Sequence, residues 1–222
     1  NIIATQRLLE AALNTTTLHG GFIYVSTSSV YGAIATGTEH METKPTSYYG
    51  VTKLAAEHLV MAASRQNKID ACSLRLFSVY GPRERPEKLY PRLIECILND
   101  LEFTLFDGSY DHYRSYTYVG DVLDGMVLAL DNMNKCRSEV FNIGSRTSIT
   151  TREGIEIIED LLGRQARIKV VPKRPGDQLE TRANIEKARD NLGYNPTTSV
   201  LDGLTQEVNW YRDNSEKNGI QW

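Results

Sequence analysis

Tyr49 and Lys53 stand four positions apart, a spacing that places two side chains on one face of a helix. A phenol with its ordinary pKa near ~10 is a poor base at neutral pH unless positive charge nearby favours the phenolate. Lys53 is such a charge. The apolar run FIYVST ends in Thr27 and is followed by Ser28 and Ser29, so hydroxyls at that point can pass or orient a proton. Thr27, Tyr49 and Lys53 together have the chemistry of a general base acting on an alcohol. In a chain with 12 tyrosines the spacing is common by itself, and the elements that carry the residues must supply the rest.

Those elements alternate. Residues 1–13 carry apolar side chains at helical spacing, with Asn1 as a candidate cap. Gly20-Gly21 breaks that pattern before FIYVST, which reads as a parallel strand buried on both faces. YYGVTKLAAEHLVMAASRQ follows as a helix with Val51, Ala55, Leu59 and Ala62 along one face, and residues 71–78 read as the next strand. Strand, helix, strand predicts a βαβ crossover in a doubly wound α/β sheet, and such sheets collect ligands beyond the carboxyl ends of their strands. Thr27 and Ser78 are thereby predicted to be neighbours.

From Gly81 the chain turns proline-rich and charged, which predicts an excursion into a second, interleaved unit. Residues 91–101 read as a helix, FTLFDG as a short strand, YVGDVLDGMVLALDN as a helix returning to the first unit, and EVFNIG as an apolar strand. Thr150 and Glu153 form a capping box for a helix that should stop near Gly163. RIKVV reads as a strand, and Leu201, Leu204, Val208 and Tyr211 mark the apolar face of a final helix.

Composition narrows the function classes. The 222 residues are 41% hydrophobic and 24% charged with a formal charge of -3, which suits a folded chain with a real core and offers no basic field for nucleic acid or anionic lipid. An anionic ligand must then be held by specific arginines. Cys72, Cys96 and Cys136 are too scattered for a disulfide framework or zinc site, and His19, His40, His58 and His112 lack metal-ligand spacing. No apolar run approaches the ~18 residues of a membrane span. A reducing, cytoplasmic setting is the expectation.

The blocks STSSVYG (26–32), SYYGVTKLAAEHL (47–59), LRLFSVYGPRERP (74–86), YRSYTYVGDV (113–122), FNIGS (141–145) and RPGDQ (174–178) resemble, in order, those of the extended short-chain dehydrogenase/reductase family of NAD-dependent nucleotide-sugar epimerases and dehydratases. The resemblance implies the carboxyl-terminal part of a Rossmann-type parallel sheet, residues 1–80 with 116–147, and an interleaved smaller α/β substrate domain, residues 81–115 with 148–222. It implies Thr27, Tyr49 and Lys53 as the catalytic set, with Tyr49 and Lys53 also contacting NAD and Lys53 holding its nicotinamide ribose. Arg114 and Arg174 would hold the diphosphate of a UDP-sugar, and Asp177 a ribose hydroxyl. Leu105 and Phe106 would border the uracil. Ser28, Ser29, Ser78 and Arg85 would lie near the sugar.

Where the family carries Asp-Glu after the catalytic Thr for 4,6-dehydration, or Glu before VYG for decarboxylation, this chain has Ser28 and Ser29. The implied reaction is therefore 4-epimerisation through a keto sugar, of UDP-glucose/UDP-galactose or UDP-glucuronate/UDP-galacturonate. The family's GxxGxxG turn, whose amides face the cofactor pyrophosphate, has no counterpart in the 222 residues. By the resemblance about three βα units, ~90 residues, precede this segment in the family, so the expectation is a sheet with an exposed edge and a chain that alone binds NAD negligibly and is inactive. Activity would belong to a longer enzyme, through pairing with an amino-terminal segment or in a homodimer. The alternatives are a truncated non-catalytic module that binds a sugar nucleotide or a protein partner, and another nucleotide-sugar dehydratase or reductase.

Overall fold

Apolar runs and amphipathic stretches alternate through the computed structural model, which describes residues 1–15, 20–173 and 177–218. Helix α1 (Ile2–Leu13) leads to strand β1 (Phe22–Thr27), a 3-10 turn at Ser28–Tyr31 and β2 (Ile34–Ala35). Helix α2 (Tyr48–Arg65), β3 (Ala71–Leu76), β4 (Val79–Tyr80), α3 (Leu89–Leu98) and β5 (Glu102–Phe106) follow. Then come β6 (Tyr113–Arg114), β7 (Thr117–Tyr118), α4 (Val119–Asp131), α5 (Met133–Cys136), β8 (Val140–Ile143) and β9 (Ile149–Thr150). The chain closes with α6 (Thr151–Leu162), β10 (Arg167–Val171), β11 (Glu180–Thr181), α7 (Glu186–Leu192) and α8 (Val200–Asn218).

The first sheet has the order β1-β3-β8, all parallel, with Thr27 opposite Leu76 and Leu76 opposite Ile143. β1, α2 and β3 make the crossover that the sequence predicts, and the register brings the strand ends at Thr27, Leu76 and Ile143 level. One face of this sheet packs Tyr24 and Ala71 on Ala56, Val60 and Ala63 of α2. The other packs Leu74, Phe141 and Ile143 on Val122 and Ala129 of α4 and on Ala188 and Leu192 of α7. A substrate domain bounded at residue 148 thus includes a helix, α7, that packs on the first sheet. A separate core joins α3, α6 and α8 around Tyr80, Tyr90 and Tyr116, with Leu93, Ile158 and Leu204 fully buried. Each such side chain contributes ~1.5–3 kcal/mol on burial, and this second body holds the loop that follows β4 through the Tyr211 hydroxyl, which donates to the Glu84 carbonyl at 3.0 Å.

The capping box at Thr150 and Glu153 is present, and α6 ends at Gly163 in the left-handed conformation, as its sequence signals require. Four expectations change. Asn1 holds the N-cap position of α1, but its side chain makes no cap bond and donates instead to Thr52 Oγ1 at 3.0 Å. β1 is not buried on both faces: it pairs only with β3 among the described residues, and Val25 is 39% exposed. The stripe through Val51 and Leu59 faces outward, because α2 buries the smaller side chains of Ala56 and Ala63, which allow close approach to the sheet, together with Val60. Leu201 is exposed, and its place in the core is taken by Val200. Exposed apolar side chains also lie on α1, at Ile3 and Leu8, and on α4, at Leu123 and Val127.

Candidate active site

At the carboxyl end of β1 the backbone must leave the sheet, and Thr27 starts the 3-10 turn by accepting the Ser29 amide on its hydroxyl at 3.2 Å. The same Oγ1 donates to Ser29 Oγ at 3.3 Å. Thr27 and Ser28 are buried, whereas Ser29 is partly open. The hydroxyls of Thr27 and Ser29 are therefore bonded to each other within the turn.

Helix α2 starts against that turn. Ser47 caps it by accepting the Gly50 amide at 3.1 Å, which sets the first helical turn and Tyr49 within it. A side chain at position 50 would bring a Cβ to 2.7 Å from the Ser29 carbonyl, so only glycine lets the helix start lie against the serine turn. Tyr49 is 53% exposed. Lys53, one turn on, donates from Nζ to the Val25 carbonyl and sits 4.4 Å above the Tyr24 ring centre. Burial lowers the Lys53 pKa from its ordinary value, with the Glu57 charge opposing, so the ammonium gives up its proton more readily than one in water. Tyr24 is pushed up to about 12, first by burial and then by the Glu57 carboxylate, and remains a neutral support.

Thr27, Ser28, Ser29, Tyr49 and Lys53 line one cleft of about 820 Å³ with Ser78, Arg85, Arg114 and Asp177. Thr27 and Ser78, far apart in sequence, meet there because β1 and β3 are adjacent and end level. Residues that the sequence reading passed over also reach the cleft: Arg83, Glu84, Lys88 and Gln178. The charged texture of residues 81–88 signalled the first three, and Gln178 closes the RPGDQ block. The fixed charges facing the cleft are mainly positive, which suits an anionic ligand. Glu84 is raised to about 7, chiefly by burial, against the pull of Lys88 and Arg85.

Arg114 and Asp177 also border a hollow of about 330 Å³ that runs to Leu105 and Phe106. Leu105 is 3% exposed and belongs to the second core, so packing occupies most of its surface. Phe106 and Asp177 line a further hollow of about 380 Å³ with Asp107, His112 and Lys173. Arg114 donates to the Tyr113 carbonyl at 3.1 Å and to the Gln178 carbonyl, and lies 3.3 Å from His112 Nδ1. Burial lowers the His112 pKa, and the charge of Arg114 adds to the effect. Arg174 lies outside the described residues.

The model of the NAD dependent epimerase/dehydratase family matches residues 1–144. An uncharacterized UDP-glucose epimerase, YtcB, of Bacillus subtilis (strain 168) is 38% identical over 209 residues, which cover 94% of this chain and 65% of the relative. A dTDP-glucose 4,6-dehydratase of Actinoplanes sp. (strain ATCC 31044 / CBS 674.73 / SE50/110) is 34% identical over 219 residues, 96% of this chain and 66% of the relative. The chain therefore spans a little under two thirds of the length of both relatives. Among solved structures, the UDP-glucuronic acid 4-epimerase from Bacillus cereus, in complex with UDP-glucuronic acid and NAD, superimposes with a TM-score of 0.90 at 37% identity, covering 96% of this chain and 67% of that one. The match in sequence extends through the strand ends, the start of α2 and the parallel sheet that holds them, and with these the chain belongs to the NAD-dependent epimerase/dehydratase family.

Proposed function

We propose that this chain forms the substrate-binding and proton-transfer part of an NAD-dependent UDP-sugar 4-epimerase, acting on UDP-glucuronate/UDP-galacturonate in preference to UDP-glucose/UDP-galactose. The observation that carries the reading is the composition of the cleft. Thr27, Tyr49 and Lys53 share it, and the positions beside Thr27 hold the hydroxyls of Ser28 and Ser29 with no carboxylate between them. A hydroxyl cannot do the acid work of elimination, whereas 4-epimerisation asks of the side chains only the reversible removal of the 4-hydroxyl proton, the carbon-4 hydride being exchanged with NAD.

The residues present suit the nicotinamide end of NAD. Lys53 gives one of its three N–H donors to Val25, so its ammonium can serve a ribose hydroxyl without breaking that bond. Bound NAD would supply the two-electron oxidising and reducing power that an alcohol-to-ketone interconversion requires. Tyr49 would take the proton of the sugar's 4-hydroxyl, one helical turn from the Lys53 ammonium that lines the same cleft. Thr27 would orient that hydroxyl, and Tyr49 would return the proton once the sugar has turned. Arg114 and Arg174 would hold the diphosphate through the planar donor fork that suits phosphate oxygens, with Asp177 on the ribose and Phe106 and Leu105 beside the base. Ser29 and Ser78 offer neutral donors, and Arg85 a cation, to a carboxylate at carbon 6, while the Ser28 hydroxyl is already given to Gln178. That grouping, and the UDP-glucuronic acid bound by the Bacillus cereus structure, support the uronate pair.

The test is turnover of both sugar pairs by the complete polypeptide, as its gene encodes it, beside Tyr49→Phe. Positioned base catalysis is worth ~10²–10⁴-fold, and Tyr49→Phe should lose that much while keeping its affinity for UDP. Lys53→Ala should lose both rate and NAD retention. A Tyr49→Phe enzyme within threefold of the parent would remove this tyrosine as the base.

A further inference from the structure

Gln178 is a half-buried side chain to which the reading above gives no role. Its amide nitrogen donates to the Ser28 carbonyl at 3.2 Å and the Gly32 carbonyl at 2.9 Å, and its Oε1 accepts from Ser28 Oγ at 3.4 Å. Carbonyls only accept, so one orientation of the amide satisfies these contacts. The two carbonyls flank the 3-10 turn of Ser28–Tyr31, which needs outside partners for its terminal groups. Gly32 leaves the turn at φ +97, a conformation glycine adopts freely, and this reversal presents its carbonyl to Gln178. The main-chain carbonyl of Gln178 accepts from Arg114. One residue thus bonds the turn that carries the hydroxyls through its side chain, and the guanidinium through its backbone.

We infer that Gln178 is a positioning residue, a clamp that ties the Ser28–Gly32 turn to the segment holding Arg114, so that a nucleotide diphosphate drawn to Arg114 fixes the hydroxyls of Thr27, Ser28 and Ser29 for reaction. The inference rests on the assignment of Arg114 and Thr27 proposed above. It predicts that occupancy at the nucleotide end is felt at the strand end.

The experiment uses the complete polypeptide and two variants, Gln178→Met, which keeps the length and loses the donor, and Gln178→Glu, which keeps the shape and loses the donor toward both carbonyls. Misplacing a reacting group by ~1 Å costs up to ~10²-fold, so both variants should lower kcat about tenfold or more. KM and the Kd for UDP should stay within threefold. Amide hydrogen exchange with UDP as the probe supplies a readout apart from turnover: UDP slows exchange at residues 28–32 in the parent, and in the variants it slows exchange around residues 112–116 only. Unchanged kcat with persisting UDP protection at 28–32 would overturn the clamp. If the parent turns over neither sugar pair, the functional reading fails while exchange without ligand still decides: the clamp requires roughly tenfold faster exchange at 28–32 in both variants, and equal rates would overturn it.

Discussion

Glu57 and Arg75 form an ion pair of 2.6 Å whose side chains are 2% and 6% exposed, one helical turn beyond Lys53. Ser73 Oγ donates to the same carboxylate at 3.0 Å, and Arg75 donates to the Tyr31 hydroxyl at 2.9 Å, which in turn donates to Asn142 at 2.7 Å. The network joins α2 to β3, to the 3-10 turn and to β8, and so holds the helix of Tyr49 and Lys53 in place on the sheet. Removing one partner strands a buried charge, which costs ~3–5 kcal/mol. Arg75→Met should lower the unfolding free energy by that amount, and Glu57→Gln with Arg75→Met together by much less. Burial pushes the Glu57 carboxyl up, but the hydrogen bonds and charge of Arg75 outweigh it, and the net direction is down. The pair's contribution is therefore present above the unfolded carboxylate pKa of ~4.3 and is lost as pH falls through the lower folded value. Urea titrations from pH 7 to pH 3 check both statements; a single variant as stable as the parent would rule out the pair as a support.

Arg114→Ala should weaken UDP binding by tenfold or more, since a hydrogen bond to a charged group is worth ~1.5–3 kcal/mol. Arg114 also bonds the Gln178 carbonyl, so Arg114→Lys, which keeps the charge and loses the planar fork, separates phosphate binding from support of that loop. Titration calorimetry with UDP should rank the parent above Lys and Lys above Ala. Equal affinity in all three would move the diphosphate elsewhere.

The elements that position the site were legible because their signals are local. A continuous apolar run marks β1, the stretch YYGVTK opens α2, and the capping box at Thr150 sets the start of α6 to the residue. What stayed hidden depends on how elements face one another. Val51 and Leu59 look like core residues by type, yet the sheet selects Ala56 and Ala63 because small side chains let α2 approach closely, and on α8 Val200 takes the core place that Leu201 looks suited to. Nothing in the sequence marks Glu57 or Glu207 as buried, yet both are, one answered by Arg75 and the other by protonation. Gln178 lay beside a recognised block, but its bonds to Ser28 and Gly32 connect residues some 150 positions apart, a relation that no spacing rule contains.

Glu207 is 0% exposed in the second core. Burial raises its pKa to about 9, and the Glu84 charge adds to the rise. At neutral pH the folded chain keeps this carboxyl protonated, whereas the unfolded chain releases the proton above ~4.3. Its folded pKa is raised, so its stabilising contribution is fully present below ~4.3 and declines as pH rises through about 9. Glu207→Gln, which keeps the shape without the ionisation, should flatten the fall in stability between pH 6 and pH 9 and be at least as stable as the parent at pH 8. An unchanged slope in chemical denaturation would mean that Glu207 titrates like an exposed acid.

The identity of the sugar turns on which hydroxyls remain free to read it. Ser28 is committed to Gln178 and is 4% exposed, so the carboxylate of a uronate would be met chiefly by Ser29, Ser78 and Arg85, which line the same cleft. Hydrogen bonds to an ionised group are roughly twice as strong as neutral ones, and their loss should therefore fall unequally on the two sugar pairs. Ser29→Ala with Ser78→Ala, assayed in the complete polypeptide, should lower kcat/KM for UDP-glucuronate by ~10²-fold if two charged hydrogen bonds of ~1.5 kcal/mol each are lost. UDP-glucose should lose less than tenfold. Arg85→Ala separates charge from hydroxyl donation: it should raise KM for the uronate in a salt-dependent way and leave the neutral sugar unchanged. Equal losses on both pairs would mean that the serines only shape the turn, and the preference for the uronate would then have to be given up in favour of UDP-glucose/UDP-galactose.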